Sequence, residues 1–158
     1  MQLFYRFVQG DAHDCAWSLL TDALQKCGHS PSAYTLCRTE LGKPYFTDPN
    51  APHFSLSHTE RLAVCVIGNA PIGVDTEPCN RSVSPSVCRR FLASCPPDEA
   101  IQRWTERESF GKLTGEGVAY QPTPFDGVHL CFHSYPVADH LITVCHSKTD
   151  PPSPPQEL

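Results

Sequence analysis

No apolar run in this chain approaches the roughly 20 residues needed to span a bilayer; the longest, LAVCVIG, stops far short. The chain also has no excess of basic charge. Twelve lysines and arginines against seventeen aspartates and glutamates leave a net charge of -5, which argues against general nucleic-acid binding, since that relies on a basic field. No CxxC occurs, and the nine cysteines are odd in number, so a disulfide framework or a redox dithiol is not indicated and reduced thiols are expected. The opening MQLFYRFVQGDAHD lacks a basic segment followed by a long apolar stretch and a small-residue cleavage site, so the expectation is a cytoplasmic protein without membrane attachment. What remains is globular: 158 residues with 40% hydrophobic and 18% charged content suit one well-buried domain or two small halves sharing a core.

Punctuation divides the chain into short elements. LFYRFVQ reads as a strand, and DAHDCAWSLLTDALQKCG as an amphipathic helix with Asp11 at its N-cap, Gly28 at its C-terminal end and Ala16, Leu19, Leu20, Ala23 and Leu24 as its buried stripe. SAYTLCRTELGKPYF is an extended segment broken at Gly42 and Pro44, and HFSLSH follows the Pro49 and Pro52 loop. RLAVCVIG and PIGVDTE are expected to pair across the NAP turn. Helical segments from about 83 to 115 and a closing strand pair, GVHLCFHSY with HLITVCHS, complete a second half of similar make-up. The order helix then strands in both halves, about 1–70 and 71–149, hints at an internal duplication with a cleft between them. The Pro-rich tail DPPSPPQEL, residues 150–158, is expected to be extended or disordered.

Two stretches carry chemistry. In IGVDTEP the period of two puts Asp75 and Glu77 on one face of a strand end, with Val74 and Thr76 on the other. Two like charges so close need a positive partner, a metal ion being the usual candidate. In RWTERESFGKLTGEG a helix brings Glu108 and Lys112 together at i and i+4, with Trp104 one turn earlier. A solvated ion pair explains that spacing too, but a third carboxylate facing the first two supplies the oxygen ligands that magnesium prefers. Trp104 and Phe110 read as core. His129, Cys131 and His133 share one strand face and are ligand types that zinc accepts, although Val128, Leu130 and Phe132 explain the same strand as a core face with polar residues outside.

Taken together, GKPYF, FSLSHT, IGVDTEP and WTERESFGKLTGEG, in this order and spacing, resemble the 4'-phosphopantetheinyl transferases, specifically the surfactin-synthetase-activating type built as a pseudo-dimer in one chain. The resemblance runs from about Asp11 to Gly117 and more loosely to the closing strands. It implies an α+β fold of two similar αβ halves about a pseudo-two-fold, 1–149 in all, with the active site in the cleft and a monomeric chain. It implies transfer of the 4'-phosphopantetheine arm of coenzyme A to a serine of an acyl carrier or peptidyl carrier protein, with magnesium as cofactor and release of 3',5'-ADP. Asp75, Glu77 and Glu108 match the family's magnesium ligands, and Lys112 matches the lysine on the coenzyme A pyrophosphate. Ser57 and His58 match the pair that meets coenzyme A phosphates, while Lys43 and Pro44 match the loop beside the adenine. Glu108, Lys112 and Asp75 are thereby the implied catalytic set.

The sequence departs from the family pattern in places. Arg107 replaces a lysine in the second motif, and Asp14 stands where an arginine normally follows DAH, with Lys26 and Arg38 the cations available in its stead. The span between Glu77 and Trp104 is short. Two rivals follow: a magnesium phosphohydrolase of coenzyme A or nucleotides, and a degenerate coenzyme A or carrier-protein-binding module without turnover.

Overall fold

The computed structural model describes residues 1–93, 95–120, 130–147 and 151–158. The chain runs β1 (Gln2–Phe7), α1 (Ala12–Lys26), a 3-10 turn, β2 (Leu36–Arg38), β3 (Pro44–Phe46), β4 (His53–His58), β5 (Leu62–Gly68) and β6 (Ile72–Pro78). It continues through α2 (Pro85–Phe91), α3 (Ala100–Thr114), a second 3-10 turn, β7 (Leu130–Val137), β8 (His140–Ser147) and β9 (Gln156–Glu157). This mixture of sheets and three helices is compatible with the expected α+β class. No helix among the described residues is long and apolar enough to cross a membrane.

α1 begins and ends as the sequence predicts. Asp11 accepts the Asp14 N–H at 2.9 Å as N-cap. At the other end the His29 N–H bonds the Leu24 carbonyl and the Gly28 N–H bonds that of Gln25, a Schellman closure made possible by the positive φ of +82° at Gly28. The stripe Ala16, Leu19, Leu20, Ala23 and Leu24 is buried against Phe4, Phe54, Ala63, Cys65 and Ile67.

One four-stranded sheet has the order β4-β5-β1-β9 and a second, three-stranded sheet the order β6-β8-β7. β5 explains how they meet. Its residues alternate between two cores: Ala63, Cys65 and Ile67 face α1, while Leu62, Val64 and Val66 join Leu3 against Ile72, Val74, Val137, Ile142 and Val144 of the second sheet. α3 then covers the outer face of that second sheet, at β6 and β8. The layers run α1, first sheet, second sheet, α3.

Two expectations need correction. β5 and β6 are not a hairpin: β5 pairs with β1 and β4, β6 pairs with β8, and the NAP turn carries the chain from one sheet to the other. Because β5 is buried on both faces, it must be a central strand with a facing sheet, and β6 supplies that face. The tail is also not disordered in its described part. β9 adds in parallel to the β1 edge, with Phe4 opposite Gln156 and Tyr5 opposite Glu157. Ser153 bonds Met1 and Leu3, the Arg6 guanidinium donates to the Leu158 carbonyl at 2.8 Å, and Leu158 packs on the α1 core. The unpaired β1 edge offers a template that polar composition alone does not reveal. Deleting 151–158 is expected to cost about 1–3 kcal/mol through the lost hydrogen bonds and apolar burial. A thermal melt of the truncated chain checks this, and an unchanged midpoint would show the strand to be energetically idle.

β4 and β6 are edge strands of different sheets, yet two serines stitch them together. The Val74 N–H donates to Ser55 Oγ at 3.1 Å, and the Thr76 N–H to Ser57 Oγ at 3.3 Å. The spacing of SLS thus matches the spacing of the outward N–H groups of β6, satisfying donors that no strand reaches. All nine cysteines are free thiols, as expected.

Candidate active site

The stitch positions the chemistry. With Val74 turned into the core, Asp75 and Glu77 point to the α3 side, as their spacing predicts. Ser57 Oγ donates to Asp75 Oδ1 at 2.9 Å while accepting from Lys112 Nζ at 2.7 Å, and Lys112 Nζ also lies 2.8 Å from Asp75 Oδ1. Asp75 is 5% exposed, and its second oxygen, Oδ2, is buried without a hydrogen-bond partner.

Glu77 is held differently. Its Oε1 accepts from the Trp104 indole at 3.2 Å and is ion-paired to Arg81, four residues on. Trp104 is therefore the buried residue expected, with a polar duty besides packing. Burial, and then the negative charge of Asp75, push the Glu108 carboxyl above the ordinary range, an effect that Lys112 and Arg81 partly oppose. Glu108, Asp75 and Glu77 line one cavity of about 580 Å³ with Ser57, His58 and Lys112. Their ligand oxygens are not gathered within 4.8 Å of one another; among the described residues that closeness is found only for the exposed Asp11, His13 and Asp14.

A second cavity of about 300 Å³ abuts the first and shares Leu56, Glu108 and Lys112 with it. Lys43 and Pro44 line this second space. Lys43 Nζ donates to the Leu113 carbonyl at 2.5 Å, satisfying an orphan acceptor of the last turn of α3 just before Gly115 adopts φ +80°. Burial holds the Lys43 ammonium below its ordinary pKa. The structure thus brings Lys43, Pro44, Ser57, His58, Asp75, Glu77, Glu108 and Lys112 to one connected region.

His58 stands on the rim, its ring 6.2 Å from that of His13 on α1 and edge-on to it. Burial, followed by His13 and Lys112, lowers its pKa. The α1 start thereby lies beside the site, and Asp14 with it. Of the two cations considered as substitutes for an arginine there, Arg38 sits 5.6 Å above the Trp17 ring, whose indole donates to His13 at 3.0 Å. Lys26 is at the far end of α1, about 18 Å along the axis from position 14. Arg38 is the better placed. Arg107, whose family counterpart is a lysine, is buried, donates to the Val118 carbonyl at 2.9 Å and stacks on Phe91, so its fork serves α3 packing.

Sequence reasoning missed one polar chain. Thr59 Oγ1 and His140 Nε2 lie 2.9 Å apart, His140 Nδ1 lies 2.9 Å from Asp139, and Asp139 also pairs with Arg61. Thr59 and His140 both line the larger cavity. Thr59 Oγ1 additionally accepts the Arg61 and Leu62 N–H groups, so its lone pairs are occupied and the chain acts as a clamp joining the β4–β5 turn to the start of β8. Nothing local in the sequence signals it, since 81 residues separate Thr59 from His140. Replacing His140, which is 1% exposed, by alanine is expected to cost about 2–4 kcal/mol, from the vacated volume and the unpaired threonine. A urea melt checks it; a loss under about 1 kcal/mol would mean the clamp is slack.

A 4'-phosphopantetheinyl transferase of Bacillus subtilis is 30% identical to this chain over 110 residues, 63% of this chain and 49% of the relative. 4'-Phosphopantetheinyl transferase Sfp of Bacillus subtilis (strain 168) is 27% identical over 106 residues, 60% of this chain and 46% of its own. These matches support the resemblance to the 4'-phosphopantetheinyl transferase superfamily at the family level. A third relative, 4'-phosphopantetheinyl transferase psf-1 of Bacillus pumilus, is 27% identical over 96 residues, 53% of this chain and 41% of that protein. The chain spans about half the length of the curated relatives it matches. No family model matches it.

Proposed function

We propose that this chain transfers the 4'-phosphopantetheine arm of coenzyme A to a serine hydroxyl of an acyl or peptidyl carrier protein, releasing 3',5'-ADP. The observation that carries this reading is Lys112, whose ammonium sits on Asp75 and Ser57 at the boundary of two adjoining cavities. A pyrophosphate at that boundary would meet a cation, with the adenosine end on the Lys43 and Pro44 side.

Magnesium fits the donor set. Asp75, Glu77 and Glu108 offer only carboxylate oxygens, the hard ligands this ion takes, and the buried, unpartnered Asp75 Oδ2 is an oxygen whose burial a cation would offset. Bound there, the ion would supply positive charge against the pyrophosphate. In this reading Lys112 leaves its contacts to hold the same phosphates, Ser57 and His58 donate to them, and alignment of the reactants contributes through the fixed geometry of β4, β6 and α3. Glu108, or a water that it orients, takes the proton of the carrier serine. The serine oxygen bonds to the β-phosphorus while the bond from that phosphorus to the oxygen bridging it to 3',5'-ADP breaks.

The reading includes the two-halves arrangement, and strand order supports it. β1, α1, β4 and β5 build a sheet ordered β4-β5-β1; β6, α3, β7 and β8 build one ordered β7-β8-β6, each outer strand pair antiparallel. In this reading β1, α1, β4 and β5 answer to β6, α3, β7 and β8, while β2, β3 and α2 have no counterpart, and Lys112 and Asp75 meet Ser57 where the units join.

The test is the intact mass of a purified apo carrier protein incubated with this chain, coenzyme A and magnesium, with a parallel EDTA sample. A gain of one phosphopantetheine arm, absent with EDTA, is expected. Release of 3',5'-ADP without any carrier protein would indicate the hydrolase, and coenzyme A binding without transfer to several carriers the binding module.

A further inference from the structure

The second sheet has a polar cluster at the end of β8 remote from His140, about 20 Å along the strand from that residue and about 10 Å from Thr143, the position opposite Asp75. Cys131 of β7 is directly opposite His146 of β8, so their side chains stand on one face as nearest cross-strand neighbours. His133 lies on the same face, and its ring stacks on that of His146 with centroids 5.2 Å apart and planes 22° from parallel. The face is the inner one, since Val144, opposite His133, belongs to the core between the sheets.

His146 makes the cluster unusual. It is 3% exposed, and its Nδ1 lies 2.8 Å from the Ser147 carbonyl. A carbonyl only accepts, so Nδ1 carries the proton and Nε2 holds a bare lone pair. That Nε2 is buried and has no hydrogen-bond partner. An imidazole with one nitrogen pinned to a backbone carbonyl and the other presenting a free lone pair is arranged as a metal-bound histidine is. A buried acceptor without a donor otherwise costs free energy for no return.

We infer that Cys131, His133 and His146 form a binding site for a zinc-class cation, with water in the fourth position. One thiolate and two imidazoles are the ligand types and number that leave a tetrahedral zinc one open position. Zinc rather than magnesium is selected by the sulfur and nitrogen donors, so this site is chemically separate from the carboxylates of Asp75, Glu77 and Glu108. The ligand atoms are not drawn within 4.8 Å of one another here. Closing the site requires Cys131 and His133, both half-buried, to turn about χ1 toward the fixed His146 Nε2. The other sulfur of this strand pair is excluded: Cys145 faces α3, and burial pushes its thiol up to about 12. His129, singled out on sequence, lies outside the described residues, and the cross-strand His146 takes its place in the inference.

The test uses the 158-residue chain, reduced and stripped with EDTA, titrated with Co2+ and then with Zn2+. The expected result is one equivalent of Co2+ giving a thiolate charge-transfer band and tetrahedral d–d bands, displaced by Zn2+. Cys131→Ser and His133→Asn are expected to abolish the band or weaken affinity at least about tenfold. These half-buried positions keep the test valid if His146→Asn fails to fold. Asp75→Asn should leave the band unchanged, as should Asp11→Asn, which disables the exposed oxygen and nitrogen cluster at the start of α1. Absence of a stoichiometric thiolate band, or a band that survives both Cys131→Ser and His133→Asn, would overturn the inference. Because no transfer assay enters, the result does not depend on the proposed function.

Discussion

Alanine at Gly73 is expected to unfold this protein or to lower its stability by at least about 3 kcal/mol. A Cβ there would sit 1.9 Å from the Ser109 carbonyl oxygen and 2.5 Å from the Leu113 nitrogen, both backbone atoms of α3. No rotamer relieves a clash with backbone, so the whole helix must retreat from β6. With a net stability on the order of 5–15 kcal/mol for a domain, that loss is a large share. The retreat would also draw Glu108 and Lys112 away from Asp75, so any folded fraction should bind phosphate ligands poorly. Gly68→Ala is the control: its Cβ would meet Met1 Cγ at 3.4 Å, an ordinary contact with a flexible side chain. A cost under about 1 kcal/mol is expected there. Urea melts of the two variants decide the matter, and a Gly73→Ala midpoint equal to that of the parent would refute the close approach of helix and strand.

Asp75→Asn should separate activity from folding. Asparagine keeps the shape and an acceptor for Ser57 and Lys112, and the Lys112 side chain, 31% exposed, retains water as a partner. Removing the charge also removes a buried carboxylate oxygen that lacks a partner. The melting free energy of the variant is therefore expected to lie within about 2 kcal/mol of the parent. If the proposed function holds, phosphopantetheine transfer should fall at least about 100-fold, because in that reading the groups acting on the pyrophosphate lose their central ligand. Intact-mass assay and thermal melt on the same preparation measure both. Retained transfer would remove Asp75 from the machinery; loss of the folding transition would make its role structural.

Short-range features were legible because local physics dictates them. The caps of α1, its apolar stripe, and the turning of Asp75 and Glu77 to one face follow from periods of 3.6 and 2 and from the φ that glycine permits. The pairing of β6 was not legible. IGVDTEP and LAVCVIG each look like a strand that pairs with its neighbour, and only the two-sided burial of β5 shows that they belong to different sheets. Ser57 could equally have been turn chemistry; it is the link that joins β4, β6 and α3. The resemblance implies a ligand-loop role for Lys43, and the fold gives it the Leu113 carbonyl as a partner.

The sequence by itself determined the residue types of the site, their order and their local faces, since those depend on side-chain chemistry and on spacing along one element. Tertiary structure alone decided which elements share a sheet, that the tail completes β1, that Thr59, His140 and Asp139 act together, and that His146 rather than a neighbour in sequence stands opposite Cys131. Each of these rests on contacts between residues far apart in the chain. Their free energy comes from burial and from hydrogen-bond donors and acceptors left over by the local elements, and a local pattern carries no record of which distant partner will meet them.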